Sequence, residues 1–146
     1  MNEKMVFKSI RFYDLKVCKW FYGLTEKEFC KIYNGYGPDS WPSIIRDTLS
    51  WVFGMFPEIS GAHDIDFYFS DGTRRGFNSS VLHWKQNAST MLSVRYPMSA
   101  PSLWIHRAIA WTKLYLARRA ISSGSAFKFY LQAYKNRVAN DCKVMI

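Results

Sequence analysis

Three long stretches in the second half of the chain repeat apolar residues at helical spacing. They span 77–94, 102–120 and 126–140, and clusters of turn-forming residues separate them at 96–101 and 122–125. Apolar residues three or four positions apart share one face of an α-helix, so this half is predicted to consist of helices joined by short turns. The positions expected to face inward are Phe77, Val81, Trp84, Ala88, Met91 and Leu92 in the first helix, and Ile105, Ile109, Thr112 and Leu116 in the second.

The first half carries signals for two shorter helices. Residues 24–33 begin with Thr25, an N-cap residue, and place Glu28 in the first turn, where a negative charge is favourable. This helix is expected to end at the Asn-Gly pair 34–35, because both residues tolerate left-handed geometry. A second helix, with proline at its first position, is expected over 42–53.

For one segment, the sequence is compatible with two secondary structures. Residues 57–69 can form a helix. Equally, the second part of this segment can form a strand that enters the Asp-Gly turn at 71–72, which gives a short β-hairpin near 66–76. In either case the sequence predicts a mainly α fold: a single compact domain over 1–146, with about five helices, a glycine-rich loop and basic C-terminal helices over 102–140.

Charge is distributed very unevenly along the chain. Residues 1–71 contain 8 Lys/Arg and 10 Asp/Glu, whereas 72–146 contain 12 Lys/Arg and a single acid, Asp141. Such an asymmetry predicts a polyanionic partner. The chain has no run of about 18 or more apolar residues, so we expect no transmembrane helix. Its first residues mix charges without an apolar segment, so we expect no signal peptide.

The basic residues of the C-terminal helices are interleaved with aromatic ones. The candidate anion-binding residues are Arg107, Lys113, Arg118, Arg119 and Lys128. Cations beside aromatic rings suit nucleic acid, where each phosphate contact adds salt sensitivity. The same pattern suits an anionic phospholipid surface, where the rings lie at the level of the headgroups. An acidic host or virion protein is a third kind of partner.

A histidine followed by an aspartate, downstream of a glycine-rich turn, suggests a metal-assisted hydrolytic site. The pair is His63 and Asp64, and the turn is 33–38 (YNGYGP). On a helix, adjacent side chains diverge by about 100°, so the imidazole can face a water molecule while the carboxylate faces a cation. Calcium binds oxygen ligands, often including backbone carbonyls, which a glycine-containing loop can turn inward. The alternative is that the turn is only a helix terminus and that His63 is structural.

These motifs resemble the phospholipase A2 superfamily, and the turn is similar to the compact YxGxG form of its viral members. The layout is also similar to that of small phage-encoded proteins with an arginine-rich helical tail. The resemblance implies a calcium-dependent phospholipase, a carboxylic ester hydrolase that cleaves a glycerophospholipid ester. In that enzyme His63 is the general base, while Asp64 and the carbonyls of Tyr33, Gly35 and Gly37 bind Ca²⁺. It also implies a location in the host cytoplasm or in the virion.

The sequence departs from that family at two points. Phe67 stands where tyrosine is usual, and no Asp or Glu between Gly72 and Asn140 is available to orient the histidine. The other histidines, His83 and His106, are interpreted as surface or core polar residues, because their predicted helices contain no acid. A second hypothesis follows: a catalytically inactive basic module that keeps the fold and binds nucleic acid, an anionic membrane or an acidic protein.

Overall fold

The computed structural model describes residues 3–33 and 54–144, with the backbone alone for 141–144, and these residues are mainly helical. Within these ranges there is no β-strand, so the predicted mainly α fold is confirmed. Six α-helices are described: α1 (Glu3–Phe12), α2 (Glu26–Ile32), α3 (Pro57–Tyr68), α4 (Arg74–Arg95), α5 (Trp104–Ile121) and α6 (Gly124–Val144). Two 3-10 turns, Lys19–Gly23 and Pro101–Leu103, precede α2 and α5.

The start of α2 follows the predicted capping pattern. The Thr25 hydroxyl accepts a hydrogen bond from the backbone N–H of Glu28 at 3.3 Å, and the Glu28 carboxylate accepts one from the N–H of Thr25 at 2.8 Å. This reciprocal capping box satisfies two donors that a helix start leaves without partners. The predicted end of this helix at 34–35, the rest of the glycine-rich loop and the helix over 42–53 lie outside the described residues.

The segment 57–69, for which the sequence allows either a helix or a strand, is helical, and the hairpin alternative is wrong. α3 continues to Tyr68, and the Asp-Gly turn, with Gly72 at φ 71°, leads directly into α4. The N-cap of α4 is Thr73, whose hydroxyl accepts the N–H of Gly76 at 3.0 Å. Local propensity did not decide between strand and helix here. Packing did, because every described neighbour of this segment is a helix and a strand would find no partner for its backbone.

α3 occupies the centre of the described fold and contacts α1, α2, α4 and α6. Ile59 and Ile65 are fully buried in the main core. Gly61 allows α1 to approach closely, since a Cβ there would lie 2.8 Å from Cγ1 of Val6. A buried carboxylate, Glu58, pairs with Arg95 near the end of α4 at 2.7 Å. α3 and α4 therefore form an antiparallel helical hairpin.

The inward face predicted for α4 is confirmed, whereas the one predicted for α5 is wrong. Ile105, Ile109 and Leu116 are 74%, 48% and 49% exposed, and Thr112 is also exposed. The residues of α5 that are buried are Ala110, Leu114, Ala117 and Ile121.

Two faces of α5 are apolar at helical spacing, so periodicity could not choose between them. The buried face has two alanines, which allow α5 to approach α4 closely. On the same side of α5, the Arg107 guanidinium donates to the carbonyls of Leu92, at 3.3 Å, and Tyr96 at the end of α4. The Leu92 carbonyl also accepts the backbone N–H of Tyr96, and the Tyr96 carbonyl lies just past the end of α4. The two bonds of Arg107 fix the rotation of α5.

Candidate functional site

The predicted pair His63 and Asp64 lies in the middle of α3. Nδ1 of His63 is 3.4 Å from Oγ of Ser80 on α4, and the ring lies 4.3 Å from that of Phe67. Asp64, the next residue, is half-buried. The helix thus gives the two side chains the diverging directions that the sequence predicts for adjacent positions.

The surroundings of His63 make it a weak base. Part of the residue is accessible, but protein atoms surround the ring, and burial lowers the pKa of His63 from 6.5 to about 3. The imidazole is therefore neutral at pH 7. A general base works best when its pKa is close to the working pH, and no carboxylate accepts a hydrogen bond from His63 within the described ranges.

The chemistry of the predicted calcium ligands fits a hard cation, because a carboxylate and backbone carbonyls are oxygen donors. Of these ligands, Gly35 and Gly37 lie outside the described residues. Tyr33 follows α2 directly, and its ring stacks on Phe29 with centroids 5.6 Å apart. No group of three His, Cys, Asp or Glu side chains that could hold a metal ion occurs in the described part of the chain. The calcium site stays a prediction.

A second histidine, predicted from the sequence to be a surface or core polar residue, has a carboxylate partner, which His63 does not have among the described residues. Nδ1 of His83 on α4 lies 2.8 Å from Oδ2 of Asp66 on α3. The other oxygen of this buried carboxylate accepts the backbone N–H of Cys18 at 2.6 Å. Asp66 raises the pKa of His83, while partial burial and the charge of Lys16 act in the opposite direction.

His83 lies on the wall of an open cleft of about 420 Å³. Trp20, Ser79 and Tyr130 are among the other lining residues. With Nδ1 bound to Asp66, the other ring nitrogen, Nε2, has no hydrogen-bond partner among the described residues. An imidazole oriented by a buried carboxylate is the arrangement that general bases use. The same contacts also attach the segment before α2 to the α3–α4 hairpin.

The sequence contains one signal for the pair of Asp66 and His83. Asp66 lies one helical turn after His63, so both side chains lie on the same side of α3. Any histidine on the following antiparallel helix was then a candidate partner. Only the crossing of α3 and α4 shows that this partner is His83.

The five predicted anion-binding residues differ in exposure. Arg118 and Arg119 are exposed near the end of α5, and Lys128 is exposed on α6. Arg107 and Lys113 are half-buried. Arg107 and Arg118 line the same groove between α4 and α5.

α5 exposes an unusual amount of apolar surface. We define the α5 face as its exposed large apolar side chains: Trp104, Ile105, Ile109, Trp111, Tyr115 and Leu116. The rings of Trp111 and Tyr115 stack with centroids 5.6 Å apart. No helix among the described residues is long and apolar enough to cross a bilayer.

The relationship of this chain to known proteins rests on the quoted motifs alone. No family model matches the sequence, and neither a curated protein nor a solved structure matches the chain.

Proposed function

We propose that this protein binds the surface of anionic phospholipid membranes through the α5 face. The observation that carries this proposal is the exposure of six large apolar side chains on a single helix that also carries basic residues and no acid. Exposed apolar patches on proteins mark sites of interaction with other proteins, membranes or ligands. The basic residues around this patch favour an anionic membrane.

The composition of the α5 face matches the depth profile of a bilayer surface. Tryptophan and tyrosine favour the headgroup level, and the aliphatic side chains can reach the acyl boundary. The 18 residues of α5 make a helix about 27 Å long, which can lie in the plane of the surface. Arg118 and Arg119 are exposed at its end, and each basic residue near an anionic surface contributes about 1 kcal/mol.

Nucleic acid would contact fewer of the exposed side chains of the α5 face than a membrane would. Phosphate contacts would use the arginines, and bases could stack on the aromatic rings. Ile105, Ile109 and Leu116 would have no role in such a complex and would stay exposed to water. The aliphatic part of the α5 face therefore favours a membrane.

Binding to vesicles tests the proposal. We expect cosedimentation with phosphatidylglycerol vesicles, weak binding to phosphatidylcholine vesicles, and loss of affinity as salt screens the attraction. Arg118→Gln with Arg119→Gln should weaken binding about 30-fold, from about 1 kcal/mol per residue.

The matched control is Arg74→Gln with Arg75→Gln, an exposed arginine pair at the start of α4. This variant should bind nearly as well as the original protein. Equal binding to both kinds of vesicle, or tighter binding to single-stranded DNA than to phosphatidylglycerol, would overturn the membrane proposal.

A second candidate function is hydrolysis of a phospholipid ester at that surface. It is favoured by the adjacent positions of His63 and Asp64 on one helix, α3, the pair that the resemblance implies. When bound, calcium would polarise the ester carbonyl; Asp64 would be its side-chain ligand. Within the chain, His63 is the base that the resemblance implies, and His83 is the base that has an orienting carboxylate.

Two histidine variants decide between these bases. If hydrolysis occurs, loss of the general base should lower its rate by about 100-fold or more. We expect that loss in His63→Ala if the resemblance holds, and in His83→Ala if the Asp66 pair acts instead. His106→Ala, an exposed histidine on α5, is the control. Release of fatty acid that is the same with calcium and with a chelator would contradict the calcium-dependent enzyme.

A further inference from the structure

A groove of about 320 Å³ opens between α4 and α5, beside the α5 face. Its apolar lining comes from Ala88 and Leu92 of α4 and from Leu114 of α5. The stacked rings of Trp111 and Tyr115 also line it. Ligand sites in proteins have volumes of about 300–1,000 Å³, so this groove can hold a small molecule or one end of a larger one.

Three cations line the same groove: Lys85, Arg107 and Arg118. None of them pairs with a carboxylate in the described part of the chain. Arg107 is held in place by the carbonyls at the end of α4, which leave its charge uncompensated. Opposing carboxylates are absent from both helices, because the sequence has no acid between 72 and 140. The groove is therefore suited to an anion.

Trp84 provides an independent observation. This residue lines the groove and is 2% exposed, and its buried Nε1 has no hydrogen-bond acceptor among the described residues. An unsatisfied buried donor costs about 1–3 kcal/mol, so such donors are rare. An oxygen of a ligand bound in the groove would satisfy this donor once the indole, which lines the groove, turns its N–H toward it.

The groove thus combines a cationic rim, an unsatisfied donor and an apolar lining. Inorganic phosphate would use the cations but would leave the apolar lining empty. A fatty chain without a charged end would leave the cations and the indole N–H unused. A molecule that has a phosphate attached to a hydrocarbon chain uses all three features.

We propose that the α4–α5 groove binds one molecule of anionic phospholipid, with the phosphate near Lys85, Arg107 and Arg118 and the first part of an acyl chain against Leu92 and Leu114. This inference rests on the proposed function and adds to it a defined site for a single lipid. The α5 face then supplies general attraction to the surface, and the groove supplies selectivity for the headgroup.

A titration with monomeric lipid distinguishes binding in the groove from binding to a membrane surface. Dihexanoyl phosphatidylglycerol, kept below its micelle concentration, should shift the Trp84 indole N–H resonance saturably in an NMR titration. Trp84→Phe assigns that resonance. Inorganic phosphate and dihexanoyl phosphatidylcholine should each bind at least about tenfold more weakly. Inorganic phosphate has no acyl chain, and the choline cation of phosphatidylcholine is repelled by the three cations of the groove.

Lys85→Gln tests the cationic rim without touching the buried core, since Lys85 is exposed. It should weaken binding of the monomeric lipid about tenfold, the effect of losing one charge-assisted contact. Lys27→Gln, an exposed lysine on α2, is the matched control and should have no effect.

The outcomes distinguish the groove from the proposed function. Absence of a saturable shift, with vesicle binding intact, overturns the groove and leaves the surface proposal standing. A saturable shift without vesicle binding supports the groove and overturns the surface proposal. Equal affinity for inorganic phosphate overturns the lipid assignment, and so does an unchanged affinity in Lys85→Gln.

Discussion

Replacing Asp66 by alanine is expected to lower the free energy of unfolding by about 3 kcal/mol near pH 6. Asp66 is almost completely buried, and both of its oxygens are used, one by His83 and one by the N–H of Cys18. The substitution removes the partner of a partly buried imidazole and leaves a backbone donor unsatisfied. Chemical denaturation followed by circular dichroism measures this loss.

The size of the effect should depend on pH in a defined direction. The Asp66 carboxylate raises the pKa of His83 in the folded protein above its ordinary value of 6.5. A group whose folded pKa is raised contributes its full stability below the unfolded pKa and loses it as pH rises through the folded value. The difference between the original protein and Asp66→Ala should therefore be larger at pH 6 than at pH 9.

Two further variants isolate the charge of this pair. Asp66→Asn keeps an acceptor for Cys18 but no charge, so it should cost less than alanine and should remove most of the pH dependence. Asp14→Asn removes an exposed carboxylate paired with Lys16 at 3.2 Å and should change stability by less than about 1 kcal/mol. An Asp66→Ala protein as stable as Asp14→Asn would show that the Asp66–His83 pair does not hold the hairpin to the segment before α2.

Local signals were sufficient for much of the fold. The capping box at Thr25 and Glu28 depends on residues three positions apart, so the sequence displays it directly. The buried stripe of α4 was also predictable, because most of its buried residues are apolar and recur at helical spacing. Both features are set within one helix and need no knowledge of its neighbours.

Features that depend on how helices meet were not predictable in the same way. The rotation of α5 depends on close packing of Ala110 and Ala117 and on the bonds of Arg107 to the end of α4. The pairing of Asp66 with His83 depends on the crossing of α3 and α4. In each case the sequence allowed more than one arrangement, and contacts distant in sequence selected one of them.

The error in α5 has a functional consequence. With Ile105, Ile109 and Leu116 inward, the helix would instead expose the face that contains the small residues Ala110 and Ala117. With the alanine face inward, the larger apolar side chains remain in contact with water. Keeping such residues exposed offers no benefit to folding, which is why the α5 face points to a partner.

Replacing Ile105 and Trp111 together by aspartate is expected to weaken binding to phosphatidylglycerol vesicles by more than about 100-fold. The two side chains are 74% and 57% exposed, so the substitution should leave the packing of α5 on α4 intact. Burial of each in the bilayer surface is worth about 1.5–3 kcal/mol, and each new carboxylate adds repulsion from the anionic lipid. Cosedimentation gives the partition coefficient.

The matched control places the same charges on α1. Met5 and Phe12 are also exposed apolar residues, at 58% and 80%, and Met5→Asp with Phe12→Asp adds the same two negative charges. If binding depends on the α5 face, the control should lose only the part that comes from net charge, a few-fold at moderate salt. Equal losses in the two double variants would mean that overall charge alone brings the protein to the membrane. In that case the exposed side chains of α5 do not enter the bilayer surface, and another partner must cover them.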